Sequence, residues 1–191
     1  MSVSELDILI WIRDNMSSAA MDAASEAADL LAGGAFTYAL SLLLLIPRRT
    51  RPLGVLMLLS EALCDLIGGP LKAVTARDRP FEDYPVDLII SRPSDYSFPS
   101  GHTANAFALA FSVLCFDRRY GAVILVLAAF VAFSRLYLFV HWPTDVIAGA
   151  LMAAVCVWAV RYLMKSRFAG SRLWQRFLDF DVRSAIRAKR G

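Results

Sequence analysis

The 191-residue chain holds only two histidines, His102 and His141, and each adjoins a Gly or Pro turn. The first closes Pro99-Ser100-Gly101-His102; the second follows Ser134-Arg135 by five residues and precedes Trp142-Pro143-Thr144-Asp145. A third stretch, Lys72 through Arg79-Pro80, supplies two cations seven residues apart. Seven residues is two helical turns, so Lys72 and Arg79 are expected on one helix face until Pro80 ends it. Arg135 adds a third fixed cation, with no matched acid expected opposite the three. Such a set describes an anion site, and arginine forks suit a phosphate dianion best. Ser100 and the backbone N–H groups of Gly101 and His102 would add donors at the positive start of a helix.

A neutral imidazole is a sensible nucleophile toward such an anion, because it avoids the repulsion a carboxylate would meet. Asp145, four residues after His141, could hold the other ring nitrogen and fix the tautomer. The second histidine would then serve as general acid for the leaving oxygen. No ligand cluster for Mg²⁺ or Zn²⁺ is visible in the sequence, so charge neutralisation falls to the cations. Taken singly, several of these residues have blander readings. Lys72 could snorkel from a helix end, Ser100 could be an N-cap, and Asp145 could cap a helix beginning at Pro143. Arg135 is harder to dismiss, since an arginine deep in an apolar span costs several kcal/mol unless it meets an anion.

The elements that must position these groups follow from composition. Apolar residues make up 58% of the chain and charged residues 19%, against about 25% charged in a soluble domain. That pattern excludes disorder, a coiled coil, a disulfide scaffold and a nucleic-acid-binding arm, and indicates an integral membrane protein. Five segments approach the length needed to cross about 30 Å of hydrocarbon. They are 30–47, 52–71, 103–116 (extendable back through Gly101), 120–140 and 143–164. Residues 1–29, with six acids against one arginine, are expected to form amphipathic helices at the membrane surface. Met1 to Asp7 is acidic and does not read as a signal peptide. Arginines at 48, 49 and 51, at 118 and 119, and Arg161, Lys165 and Arg167 then fall on one side, which the positive-inside rule makes cytoplasmic. The expected architecture is an all-α membrane bundle of one domain: interfacial residues 1–29, a five-helix core over 30–164 and a basic cytoplasmic tail over 165–191. Both histidines and the three cations then share the outer side. Cys64, Cys115 and Cys156 read as small buried hydrophobes.

The three motifs together resemble the signature of the type 2 phosphatidic acid phosphatase family: Lys, six residues, Arg-Pro; Pro-Ser-Gly-His; and Ser-Arg, five residues, His, three residues, Asp. No position is missing. The resemblance covers residues 60–150 and implies a metal-independent helical bundle whose soluble relatives include the vanadium haloperoxidases. It implies that His141 attacks phosphorus and forms a phosphohistidine, with Asp145 orienting it. His102 would protonate the leaving group and later activate water. Lys72, Arg79, Ser100, Gly101 and Arg135 would bind the phosphate oxygens, without metal or cofactor. The expected substrate is a lipid phosphate met at the outer leaflet of the cell membrane. Undecaprenyl diphosphate is favoured over phosphatidylglycerol phosphate and phosphatidic acid, because the chain is as compact as the small recyclers of that carrier. Membrane lipids are the expected surroundings, and no nucleic-acid partner is expected.

Several features stand outside the motifs. Glu61 and Asp65 form an i,i+4 acid pair inside the second span. They are expected to be protonated or paired with Ser or Tyr hydroxyls of neighbouring helices; alternatively Asp65, seven before Lys72, tunes the phosphate site. Arg77 and Asp78 read as a surface pair. Phe81, Tyr84, Tyr96 and Phe98 could line a lipid entrance or belong to the interfacial belt. A function of another class, a small transporter or channel with Glu61, Asp65 and Arg135 as an intramembrane relay, would require polar groups at mid-depth on several spans.

Overall fold

The computed structural model describes residues 4–168 and 170–180, and these are helical with connecting loops. The helices are α1 (Glu5–Met16), α2 (Ala19–Ala32), α3 (Gly34–Leu44), α4 (Arg51–Thr75), α5 (Pro80–Asp83), α6 (Gly101–Leu114), α7 (Arg118–Tyr137), α8 (Pro143–Leu163) and α9 (Arg172–Asp179). Three stretches among the described residues are long and apolar enough to cross a bilayer: Arg51–Asp83, Arg118–Tyr137 and Pro143–Ser166. A fourth exists if α2 and α3, bent by 54° at their junction, count as one span. α6 has 14 residues and is therefore only about 21 Å long, short of a hydrocarbon core of about 30 Å. It is thus shorter than a full span over 103–116, the third of the five segments read from the sequence.

α6 is the central element. Ala104, Ala106, Ala108 and Ala110 are buried on it, and their small side chains let other helices approach from several sides. One seam joins Leu56 and Cys64 of α4 with Ala104 and Ala108 of α6 and Ala153, Cys156 and Val157 of α8. A second joins Ala28 and Ala32 of α2 with Ala106 and Ala110 of α6 and Ala128 and Val131 of α7. This second seam corrects the expectation that all of residues 1–29 lie at the surface. α2 repeats small residues, Ser25, Ala28 and Ala32, on one buried face, and that face fits between α6 and α7. The apolar segment expected over 30–47 is accordingly broken at Gly33-Gly34. α1 does remain at the surface, clamped by Leu9 against Phe139 and Trp142 and by Ile12 against the Tyr137–Val140 turn.

The Lys72–Arg79 segment differs from the continuous helix expected. α4 runs through Pro70 but stops at Thr75, and Ala76 takes the left-handed conformation at φ 43°. Pro80 disfavours helical backbone at the residue before it, and Arg79 is extended at φ −84°, ψ 153°. A turn, and not a shared helix face, therefore brings Lys72 and Arg79 together. At the opposite end of the bundle, buried Arg51 donates to Leu45 and Ile46 carbonyls after α3 and to Phe177, Leu178 and Phe180 carbonyls at the end of α9. The first part of the basic tail is thus docked, while residues 181–191 lie outside the described residues.

Ala76 is exposed, so its left-handed φ has no packing reason to favour a Cβ. Ala76→Gly should raise stability by about 0.5–1 kcal/mol, because glycine removes the Cβ penalty of that conformation. Thermal unfolding in detergent checks this.

Candidate active site

Pro143 starts α8, and Asp145 in its first turn accepts a hydrogen bond from the Trp142 N–H at 2.8 Å. Asp145 thus takes the capping place considered for it. Its Oδ2 accepts from Ser97 Oγ at 2.5 Å and lies 3.6 Å from His141 Nδ1, while Ser97 Oγ stands 3.4 Å from the same nitrogen. The other ring nitrogen of His141, Nε2, is 3.3 Å from Arg79 Nη1. The imidazole is thus held between a carboxylate on its Nδ1 side and a guanidinium on its Nε2 side.

The backbone that delivers His141 leaves α7 by an abrupt turn. Phe139 has φ 59°, and the N–H groups of Val140 and His141 both return to the Arg135 carbonyl. Phe139 is fully buried against Leu9 and Trp142, and that packing holds a conformation disfavoured for a bulky residue. Arg135 and His141 are consequently fixed to one another through the same turn.

Each cation has an acid beside it, which corrects the expectation of three cations without matched acids. Asp95 takes Lys72 at 3.0 Å and Arg79 at 2.7 Å. Asp29 of α2 takes Arg135 at 2.6 Å and His102 at 3.3 Å. Arg79 also donates to the Val140 and Asp95 carbonyls, and Lys72 to the Tyr96 carbonyl. Burial alone would raise the Asp95 carboxyl, but its hydrogen bonds and charge contact with Lys72 and Arg79 hold it below the usual range. The Ser134 hydroxyl donates to the Val131 carbonyl and accepts from Arg135, so it steadies that guanidinium.

Lys72, Arg79, Gly101, His102, Arg135 and His141 line one cavity of about 110 Å³, with Asp29 and Asp95 in its wall. Asp145 stands behind His141. Ser100 is fully buried and caps α6, its hydroxyl oxygen accepting from Thr103 N–H at 3.4 Å and Thr103 Oγ1 at 3.0 Å. It shapes the turn from behind the wall, and Gly101 forms the wall itself. The N–H groups of Gly101 and His102 belong to the first helical turn, where no intrahelical carbonyl reaches them.

Other sequence features separate from the site. Glu61 is buried beside Ser41 at 3.0 Å, and Asp65 accepts from Tyr38 at 2.7 Å. That is the hydroxyl pairing expected of them, and Asp65 is not brought to Lys72. Arg77 does not pair with Asp78; it binds Asp145 at 2.7 Å and Glu5 at 2.5 Å, tying α1 to the start of α8. Reasoning from the motifs missed Asp29, Asp95 and Ser97. Asp95 and Ser97 sit close before Pro99, where a hydroxyl and a carboxylate stand beside a motif, whereas nothing in sequence ties Asp29 to His102 and Arg135, each more than 70 residues away.

The family comparison follows the same residues. The profile described as the PAP2 superfamily matches residues 52–169, more than half of the chain. An undecaprenyl-diphosphatase of Sulfolobus acidocaldarius is 38% identical over 114 residues, covering 59% of this chain and 55% of the relative. The chain thus spans only about half the length of such curated relatives. Among solved structures, Aquifex aeolicus LpxE superposes with TM-score 0.73 at 26% identity, covering 82% of this chain and 94% of that one. The Bacillus subtilis PAP2-type phosphatidylglycerolphosphate phosphatase gives 0.58 at 25%, covering 87% and 95%.

Two outcomes follow from this geometry. Burial first, then the charges of Arg79 and Lys72, push the His141 imidazole down to about 3 from 6.5, against the pull of Asp145. The folded chain resists protonation there while the unfolded chain does not, so this stability is present above pH 6.5 and lost as pH falls toward 3. Unfolding in detergent should show wild type losing more stability across that window than His141→Gln. Separately, a Cβ at Gly149 of α8 would stand 2.6 Å from the Ser100 carbonyl oxygen. Gly149→Ala should destabilise by about 1–3 kcal/mol through overpacking, read by the same unfolding assay.

Proposed function

Since this chain belongs to the PAP2 superfamily, we propose that it is an integral membrane lipid phosphatase acting through a phosphohistidine on His141. The observation that carries this reading is the single cavity in which both histidines face three cations. With its imidazole neutral above pH 3 and Asp145 and Ser97 on the Nδ1 side, Nε2 of His141 presents its lone pair toward Arg79 Nη1 at 3.3 Å, and that lone pair becomes available once phosphate oxygens draw the guanidinium to themselves. That lone pair attacks phosphorus as the bond to the leaving oxygen breaks. Lys72, Arg79 and Arg135 hold the non-bridging oxygens, joined by N–H groups of the turn that Ser100 and Gly101 form. His102 passes its proton to the leaving oxygen. It then takes a proton from water, whose oxygen attacks phosphorus and releases phosphate while the P–N bond breaks.

A cavity of about 110 Å³ is well below the ~300–1,000 Å³ of a site that encloses a drug-sized ligand. It suits a phosphoryl head group whose chain stays in the surrounding lipid. Undecaprenyl diphosphate is the substrate we favour, on the similarity to the Sulfolobus acidocaldarius relative and the compact core; phosphatidylglycerol phosphate and phosphatidic acid are the alternatives. The site opens at the outer leaflet in this reading, because the arginines at 48, 49, 51, 118 and 119 lie in the connections at the opposite end. A transporter is less well supported, since Arg135 is engaged within the cavity and Glu61 is paired with Ser41.

Phosphate release from a panel of these lipids in detergent, with EDTA present, tests the reading. Wild type should release phosphate and His141→Ala should fall by at least about 10³-fold; equal release by both would overturn the phosphohistidine, and loss with EDTA the metal-free step. His102→Ala should lose about 10²–10⁴-fold on an alkyl phosphate and be partly rescued by an aryl phosphate, whose leaving group needs no acid.

A further inference from the structure

Asp29 comes from α2, outside residues 52–169 to which the family profile extends, yet its carboxylate forms part of the cavity wall. A single oxygen, Oδ1, lies 2.6 Å from Arg135 Nη1 and 3.3 Å from His102 Nε2. The contact is anchored from below. Ala28 and Ala32 flank Asp29 on α2 and are buried against Ala106 of α6 and Ala128 and Val131 of α7, the two helices that carry His102 and Arg135. At the end of the same helix, a Cβ on Gly33 would come within 3.9 Å of His102 Nε2, so the backbone itself closes on the imidazole.

We propose that Asp29 is a positioning residue for His102, making with it a second histidine–aspartate pair across the cavity from His141–Asp145. The inference rests on the reading of His102 as the leaving-group acid. The charged groups facing His102 are Asp29 from α2, Arg135 from α7 and Arg79 from the segment before α5, with Lys72, Asp95 and His141 across the same cavity. Two guanidiniums oppose a proton on the imidazole, and Asp29 is the carboxylate placed to offset them. When phosphate oxygens engage Arg135, the Asp29 carboxylate is left to His102. Its Oδ1 stands 3.3 Å from Nε2 itself, so it stabilises the proton carried on that nitrogen and keeps the ring at the cavity wall. As the P–O bond breaks, that proton moves to the leaving oxygen and the ring becomes neutral. In the second step the same nitrogen accepts the proton of the attacking water, and Asp29 again faces an imidazolium.

The leaving group separates this role from a structural one. Asp29→Asn should lower kcat about 10–100-fold on phosphatidic acid, whose alkoxide needs a proton, and at least tenfold less on an aryl phosphate. Asp29→Glu, which keeps the charge, should recover part of the loss. In a His102→Ala background Asp29→Asn should change neither rate further, since the two act as one unit. Equal losses on both substrates, or an undiminished loss on top of His102→Ala, would overturn the pairing, as would an Asp29→Asn enzyme with wild-type kcat. Melting temperature in detergent identifies a variant that fails to fold, and Asp29→Glu then carries the test. Wild type inactive on every phosphate would instead bring down the phosphatase reading itself.

Discussion

A guanidinium held at the end of an apolar bundle repels its neighbours unless anions stand between them. Arg79 and Arg135 are almost wholly buried, and Lys72 shares their cavity. Charges so placed lose hydration, and only ion pairs with complete hydrogen bonding offset that loss. Much of this end of the molecule can be understood as supplying those pairs. The 84–100 loop folds back to place Asp95 between Lys72 and Arg79, and α2 enters the bundle to place Asp29 on Arg135. In the proposed reading, an incoming phosphate competes with both carboxylates for the same donors. Its affinity is therefore a difference between two sets of charge-assisted bonds, and the resident set keeps the cations in position.

The two ends of the bundle solve related problems with different groups. At the end far from the site, Arg51 gathers carbonyls that the ends of α3 and α9 cannot bond internally, and so binds a terminal helix to the core. At the site end, Arg77 links Glu5 of α1 with Asp145 of α8. That second link ties the cap over the site to the carboxylate behind His141. The N-terminal helices are thus joined to the His141–Asp145 pair by ion pairs as well as by the packing of Leu9 and Ile12.

What could be read from the sequence was set by distance along the chain. His141 and Asp145 are four residues apart, Ser100 and His102 share a helix start, and Arg135 reaches His141 through one turn; short spacings translate directly into geometry. Lys72 and Arg79 illustrate the limit. Their spacing fits a helix, but Pro80 and the left-handed Ala76 bring them together by a turn, so the pairing was legible and its geometry was not. The helical membrane architecture followed from hydropathy, whereas the insertion of α2 depended on a small-residue face whose complement lies on α6 and α7. Asp29 was invisible for the same reason, since its partners are defined only once three helices have packed.

The same division explains why the motifs name a reaction more readily than a substrate. Every motif side chain that reaches the cavity contributes to a space of about 110 Å³, which admits the phosphoryl group that all lipid phosphates share. Discrimination between lipids must arise where they differ, beyond that space. A separate apolar groove of about 440 Å³ lies between α2, α6 and α7, faced by Ala27, Leu31, Leu109, Leu127 and Val131. One wall of that groove is α2, the helix that also carries Asp29 and lies outside the span shared with the family profile. In the proposed reading, the side chains of α2 that face this groove, unlike Asp29, are where selectivity for a hydrocarbon chain can be built, because apolar contacts there add affinity without altering the charges of the site.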